Sequence, residues 1–206
     1  ISRASAIAVR DDRIVAVGTY ADAESALAGG YRKVDLQGLT VIPGFTDCHI
    51  HLLWYALKFN QVDLGSVNSI EEAKKRIRKA ALQSQEGQWI MGHGWSHSLL
   101  GNDSPHRTHL DEAASDNPVV LFSKDRHSMW VNSLALAMAS IDKYTPDPDG
   151  GVIERDPNTH EPTGILRENA QALINSVIPA PDFSTSKKAI ADVIPYFHQL
   201  GIVGIH

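Results

Sequence analysis

The 206 residues are 43% hydrophobic and 21% charged, the balance of a chain that buries a core, which excludes disorder, collagen and coiled coil. Lys and Arg number 19 against 24 Asp and Glu, a net charge of -5 without a basic stripe, so neither nucleic acid nor an anionic membrane is an expected partner. No apolar run reaches the roughly 18 residues of a membrane span, and the single cysteine, Cys48, rules out an intrachain disulfide and fits a reducing, cytoplasmic compartment.

Residues 7–17 place two short apolar runs around Asp11-Asp12-Arg13, which predicts a β-hairpin closed by Gly18. One or two helical turns are expected over 22–28, and strands over 34–36 and 39–42 complete a small β-rich unit that ends at Pro43-Gly44. A strand over 45–52 follows. Ser69 and Glu72 stand at capping-box spacing, and Ile70, Ala73, Ile77, Ala80 and Ala81 share one face of a helix ended by Gly87. The basic residues between them, Lys74 to Lys79, form its solvated face. Strands are expected over 89–91 and 119–122, a helix over 131–140, a hairpin with arms at 151–154 and 163–166, and a helix over 166–177. Ile190, Val193, Ile194 and Phe197 define a last helix, kinked by Pro195 and ended by Gly201, before a strand over 202–206. Strand–helix alternation at both ends points to a parallel α/β core carrying an insertion. Ile1 in place of Met, and a terminal strand with nothing after it, lead us to expect that both ends are cut from a longer chain.

His49 and His51 are the sharpest chemical candidates. In a strand, residues i and i+2 project to one side about 6.5 Å apart, so both imidazoles can reach one ion at about 2.0–2.1 Å. With 10 histidines in 206 residues, chance alone supplies about half of one such pair, and spacing by itself decides nothing. The pair ends an apolar strand entered through Pro43-Gly44, which places it at the carboxyl end, where parallel α/β barrels put their active sites. Asp47 shares its side-chain parity and reads either as an acceptor that orients an imidazole or as a packed polar neighbour. Cys48 alternates to the other face.

The run Val41-Ile42-Pro43-Gly44-Phe45-Thr46-Asp47-Cys48-His49-Ile50-His51-Leu52 resembles the metal-binding first strand of the amidohydrolase superfamily, PGF-x-D-x-H-x-H after a small β-sandwich. Arg13-Ile14-Val15-Ala16-Val17-Gly18 resembles a hairpin arm of that sandwich. Gly94-Trp95, Leu110-Asp111, Pro118 to Leu121, His127-Ser128-Met129-Trp130-Val131-Asn132-Ser133-Leu134-Ala135-Leu136, Gly150-Gly151 and Pro162 to Glu168 are similar, in order, to the amidohydrolase 3, or YtcJ-like, branch. The likeness runs along nearly the whole chain.

That resemblance implies an α/β fold, the N-terminal portion of a metal-dependent hydrolase (β/α)8 TIM barrel. The segments would be part of a β-sandwich (1–43), barrel strand 1 and its following loop (44–66), an α+β insertion (67–180), and barrel helix and strand 2, truncated (181–206). A complete barrel needs about 250 residues, more than are present. The resemblance further implies hydrolysis of a C–N bond, amide or formamide-like, in a small-molecule substrate. The cofactor would be one or two divalent metal ions, most often zinc, with His49 and His51 as ligands. A lysine, two further histidines and an aspartate general base would lie beyond residue 206, leaving the 206 residues inactive alone. Whether the protein forms a homo-oligomer stays open. A deaminase or isomerase of the same superfamily, or a non-catalytic binding or regulatory protein on the same scaffold, are the alternatives.

On the same likeness His127 is a substrate-pocket or oxyanion-side group, against the reading of a histidine capping a helix. Glu168 either approaches the metal site or is a first-turn carboxylate favoured by the helix dipole. Trp54, Trp95 and Trp130 are pocket walls or plain core. His93, His97, His106 and His109 read as loop histidines. Arg126, and Val203-Gly204, depart from the branch's usual small residue and Thr-Ser.

Overall fold

The structure is a computed structural model that describes residues 4–27, 29–97 and 104–206, in two compact units, 1–43 and 44–206. In the first, β1 (Ala6–Arg10) pairs antiparallel with β2 (Arg13–Gly18), the two positive-φ residues Asp11 and Asp12 forming the expected turn. Thr19 then caps α1 (Tyr20–Ala26), its hydroxyl accepting from the Asp22 backbone while the Asp22 carboxylate takes the Thr19 N–H. The strands expected over 34–36 and 39–42 do not form: the described residues 29–44 are irregular around a turn at Gln37 and Gly38, both at positive φ. Alternating apolar residues make a strand only with a ladder partner, and Val34, Leu36, Leu39, Val41 and Ile42 are exposed instead.

The second unit opens with β3 (Phe45–Asp47), which pairs in parallel with the terminal strand β10 (Ile202–Ile205). Between them lie α2 (Leu52–Phe59) and α7 (Phe183–Gln199), packed through Ala56, Ala189, Val193 and Phe197. Asp182 caps α7 by accepting the Thr185 N–H, and the helix continues through Pro195 to Gln199, after which Gly201 takes φ +78. The strand expected to run to residue 52 stops at Asp47, and α2, unforeseen from sequence, begins at Leu52 with His51 at its N-cap.

The rest builds a mixed sheet in the order β4-β5-β6-β7-β9-β8, from β4 (Val62–Asp63), β5 (Ile90–Trp95), β6 (Val119–Ser123), β7 (Ser128–Val131), β8 (Gly151–Arg155) and β9 (Pro162–Glu168). β4, β5 and β6 are parallel; β7 turns back against β6, and β9 against β7, so β9 again runs with β6. Alternation sends successive residues to opposite faces. Val119, Leu121, Trp130 and Ile165 join α3 (Ile70–Ala81) and α4 (Arg107–Asp111) in one core. Val120, Met129, Val131 and Leu166 join α5 (Ser133–Met138) and α6 (Gln171–Asn175) in the other. A sheet covered on both faces needs the continuous apolar strands seen here, each buried Ile or Leu contributing about 2 kcal/mol.

Two of these elements differ from expectation. The apolar stretch at 131–140 is a strand end and a short helix, divided at Asn132, whose Oδ1 accepts from both Val119 N (3.0 Å) and Ala135 N (3.0 Å). β9 continues to Glu168, where a helix was expected, because the strand still has β7 and β8 as ladder partners there. Among the described residues no helix is long and apolar enough to cross a membrane.

Candidate functional site

The structure brings His49 and His51 together. Their ring centroids lie 5.4 Å apart at an interplanar angle of 89°, just past the carboxyl end of β3, and both residues are exposed. The approach is not that of alternate residues in a strand. Asp47 Oδ1 accepts the His49 N–H at 3.0 Å, an Asx turn that breaks the strand, while the Asp47 carbonyl accepts the His206 N–H at 2.9 Å and fixes this end to β10. Asp47 therefore orients the backbone that carries His49. The Trp54 ring lies 5.6 Å from that of His51. Two imidazoles are the donor chemistry that zinc and similar divalent ions accept, and they make half of a four-coordinate set. Among the described residues no group of three or more His, Cys, Asp or Glu side chains is gathered to complete it.

His127 and Glu168 meet elsewhere. His127 sits in the turn between β6 and β7, and Glu168 closes β9; the ring Nδ1 lies 3.0 and 3.1 Å from the two carboxylate oxygens. The backbone repeats the link, Glu168 N donating to the His127 carbonyl at 3.0 Å. Hydrogen bonding to Glu168, then its charge, hold the His127 pKa above the ordinary histidine value. The turn is locked by Asp125, whose Oδ1 accepts from Ser123 Oγ (2.6 Å) and from His127 N (3.1 Å), and these bonds hold its carboxyl below the usual range. These side chains, with His97 and Arg167, line a cavity of about 240 Å³. Spacing in sequence gives no sign of a pair 41 positions apart.

Trp95 is fully buried, its indole N–H donating to the Leu121 carbonyl at 2.8 Å, with Trp130 edge-on at 5.9 Å and His97 at 5.1 Å. It is a core residue that backs His97. Trp130 is also core, whereas Trp54 is 76% exposed. His93 lies in β5 rather than a loop, 3.9 Å from Asp63 Oδ1, and burial is the main cause that lowers its pKa. His106 caps α4, accepting the Thr108 N–H at 3.4 Å, and burial lowers its pKa too. Cys48 is exposed. Sequence reasoning missed Asn132 as an organiser: it is fully buried, and its amide also donates to the carbonyls of Ala114 and Asn117.

The chain is similar to known proteins along most of its length. It is 34% identical over 202 residues to Protein LONG AFTER FAR-RED 3 of Arabidopsis thaliana, covering 98% of this chain and 34% of that one. To the N-substituted formamide deformylase of Arthrobacter pascens it is 36% identical over 178 residues, covering 85% of this chain and 33% of that enzyme. A solved structure, an uncharacterized metal-dependent hydrolase from Pyrococcus furiosus, superposes with a TM-score of 0.69 at 28% identity, covering 97% of this chain and 39% of that one. The chain thus spans about a third of the length of these two curated relatives. The amidohydrolase family model, Amidohydro_3, matches residues 32–206, and the chain belongs to the amidohydrolase family.

Proposed function

We propose that this chain carries the first two metal ligands, His49 and His51, of a hydrolase that cleaves a C–N bond of a small amide or formamide-like substrate. The observation that carries the reading is the pair itself: two imidazoles at 5.4 Å, beyond the carboxyl end of a strand in a parallel β3–β10 pair, in a member of the amidohydrolase family. A divalent ion held there, zinc on the preference of imidazole ligands, supplies Lewis-acid activation of water and of the scissile carbonyl. Asp47 positions His49 through its backbone, and Trp54 flanks His51. His127 and Glu168 stand on the substrate side, and Trp95 acts from the core behind them as the rigid backing of His97.

On this reading residues 1–43 are part of a β-sandwich, 44–66 the first strand of a (β/α)8 barrel and its connection, 67–180 an insertion, and 181–206 the helix and strand that resume the barrel. The remaining ligands and the general base come from outside the 206 residues. The lone Cys48 suits a reducing compartment such as the cytoplasm. A second reading, a non-catalytic binding or regulatory protein, draws on one observation: the described residues gather only two donors at His49 and His51. Assay of the zinc-loaded full-length protein, which carries the remaining ligands and the general base, against N-substituted formamides and simple amides, scoring released amine, separates the two. Metal-dependent amine release supports the hydrolase; loaded protein with no turnover of any C–N substrate supports the alternative.

A further inference from the structure

We propose that the cavity beside His127 is a binding subsite for an acyl oxygen, the carbonyl or carboxylate of a small ligand, which the His127 Nε2–H receives while Glu168 holds the opposite ring nitrogen. Taken as a statement about substrate, this rests on the hydrolase reading; taken as binding, it stands on the geometry alone.

Placement is the first argument. β5, β6 and β9 run in one direction, and their carboxyl ends supply His97, Ser123 and Glu168 to the cavity. Open α/β sheets take their ligands outside the carboxyl ends of their strands.

Backbone conformation is the second. Arg126 and Glu168 both hold the left-handed region, at φ 64 and φ 50, without being glycine. Each such residue is strained, and is retained where the surroundings fix it. Here Gln171 Nε2 donates to the Arg126 carbonyl at 3.0 Å, and Glu168 N donates to the His127 carbonyl. The two strained residues frame the His127 turn.

Charge pairing is the third. Arg167 is engaged by Glu154 at 2.8 Å, Asp125 Oδ1 by Ser123 and the His127 backbone, and both Glu168 oxygens by the His127 ring. Among the described residues nothing bonds Nε2, which leaves it as the ring's open polar atom. A carboxylate on Nδ1 favours the imidazolium, in which Nε2 carries a proton and donates. The titratable and charged groups that line the cavity with it are Asp125 on its own turn, His97 after β5, and Arg167 and Glu168 on β9, while the Arg126 guanidinium lies over the Phe122 ring. Cationic and anionic members are near balance, so a neutral amide carbonyl and a single carboxylate both fit, and about 240 Å³ admits a short acyl group rather than a polymer.

The test is ring NMR on the 15N-labelled protein, titrated at fixed ionic strength with sodium acetate, N-methylacetamide or methylammonium chloride. We expect acetate or N-methylacetamide to shift the His127 ring signals saturably, Glu168→Gln to weaken that binding about tenfold, and methylammonium to leave the ring unmoved. Which acyl probe saturates assigns carboxylate or amide. His127→Gln, with its backbone amide spectrum otherwise preserved, is expected to abolish the saturable acyl-probe shifts of the Asp125 and Glu168 backbone amides that the wild type shows. Unmoved His127 signals with both acyl probes, a uniform non-saturating drift of all exposed histidines, or saturation by methylammonium would overturn the proposal. Metal content is not read in this test, so its failure stays separate from failure of the His49–His51 assignment.

Discussion

The Nδ1 of His127 lies within 3.1 Å of both carboxylate oxygens of Glu168, a residue 41 positions further along the chain and on a different strand. With Glu168 as the first cause, the folded pKa of His127 is raised. Its unfolded value is about 6.5. The pairing therefore adds stability that is complete below about pH 6.5 and fades as pH rises through the raised folded value. NMR titration is expected to place the His127 midpoint above that of an unstructured histidine, and Glu168→Gln to bring it down. Both side chains are exposed, so the effect on melting is small and salt-sensitive.

Asn132 gives a larger effect. Its Oδ1 accepts from Val119 N and Ala135 N, its Nδ2 donates to Ala114 O at 3.2 Å and Asn117 O at 2.8 Å, and it is fully buried. Asn132→Ala leaves these backbone groups unsatisfied at the junction of β7, α5 and β6, and is expected to cost about 3 kcal/mol in urea unfolding. Asn132→Asp keeps the acceptors, loses the donors and buries a charge. A loss under about 0.5 kcal/mol for the alanine variant would contradict this role.

Two glycines make a paired test. Gly164 has φ +97, and a Cβ there would stand 2.4 Å from the Val131 carbonyl oxygen. Gly38 has φ +82 but nothing within 4 Å. Gly38→Ala is expected to cost about 1 kcal/mol, the conformational term alone. Gly164→Ala adds a clash with backbone and should cost several times more, measured as a difference in unfolding midpoint.

Much of the fold is legible from periodicity. The β1–β2 hairpin, α3, the β8–β9 hairpin and the α7–β10 unit follow patterns whose partners are close in sequence or whose apolar face is unambiguous. What fails is where tertiary pairing decides. Residues 34–42 carry a strand-like pattern without a ladder, Leu166 to Glu168 carry a helix-like one yet pair with β7 and β8, and α2 lies in a run apolar on most sides. The site divides the same way. His49 and His51 stand out by motif, but the turn that brings them together depends on the Asp47 carboxylate. The His127–Glu168 pair exists only once β7 and β9 are side by side. Asn132, a buried amide with four bonds, leaves no periodic trace.

The account turns on His49 and His51 as ligands. The most direct measurement is metal content per chain by elemental analysis of the full-length protein, which supplies the remaining ligands, comparing the wild type with the His49→Ala/His51→Ala variant after confirming that both are folded. The account predicts about one or two equivalents of zinc or a similar divalent ion in the wild type, and loss of at least one in the variant. Equal metal content in the two proteins would contradict it.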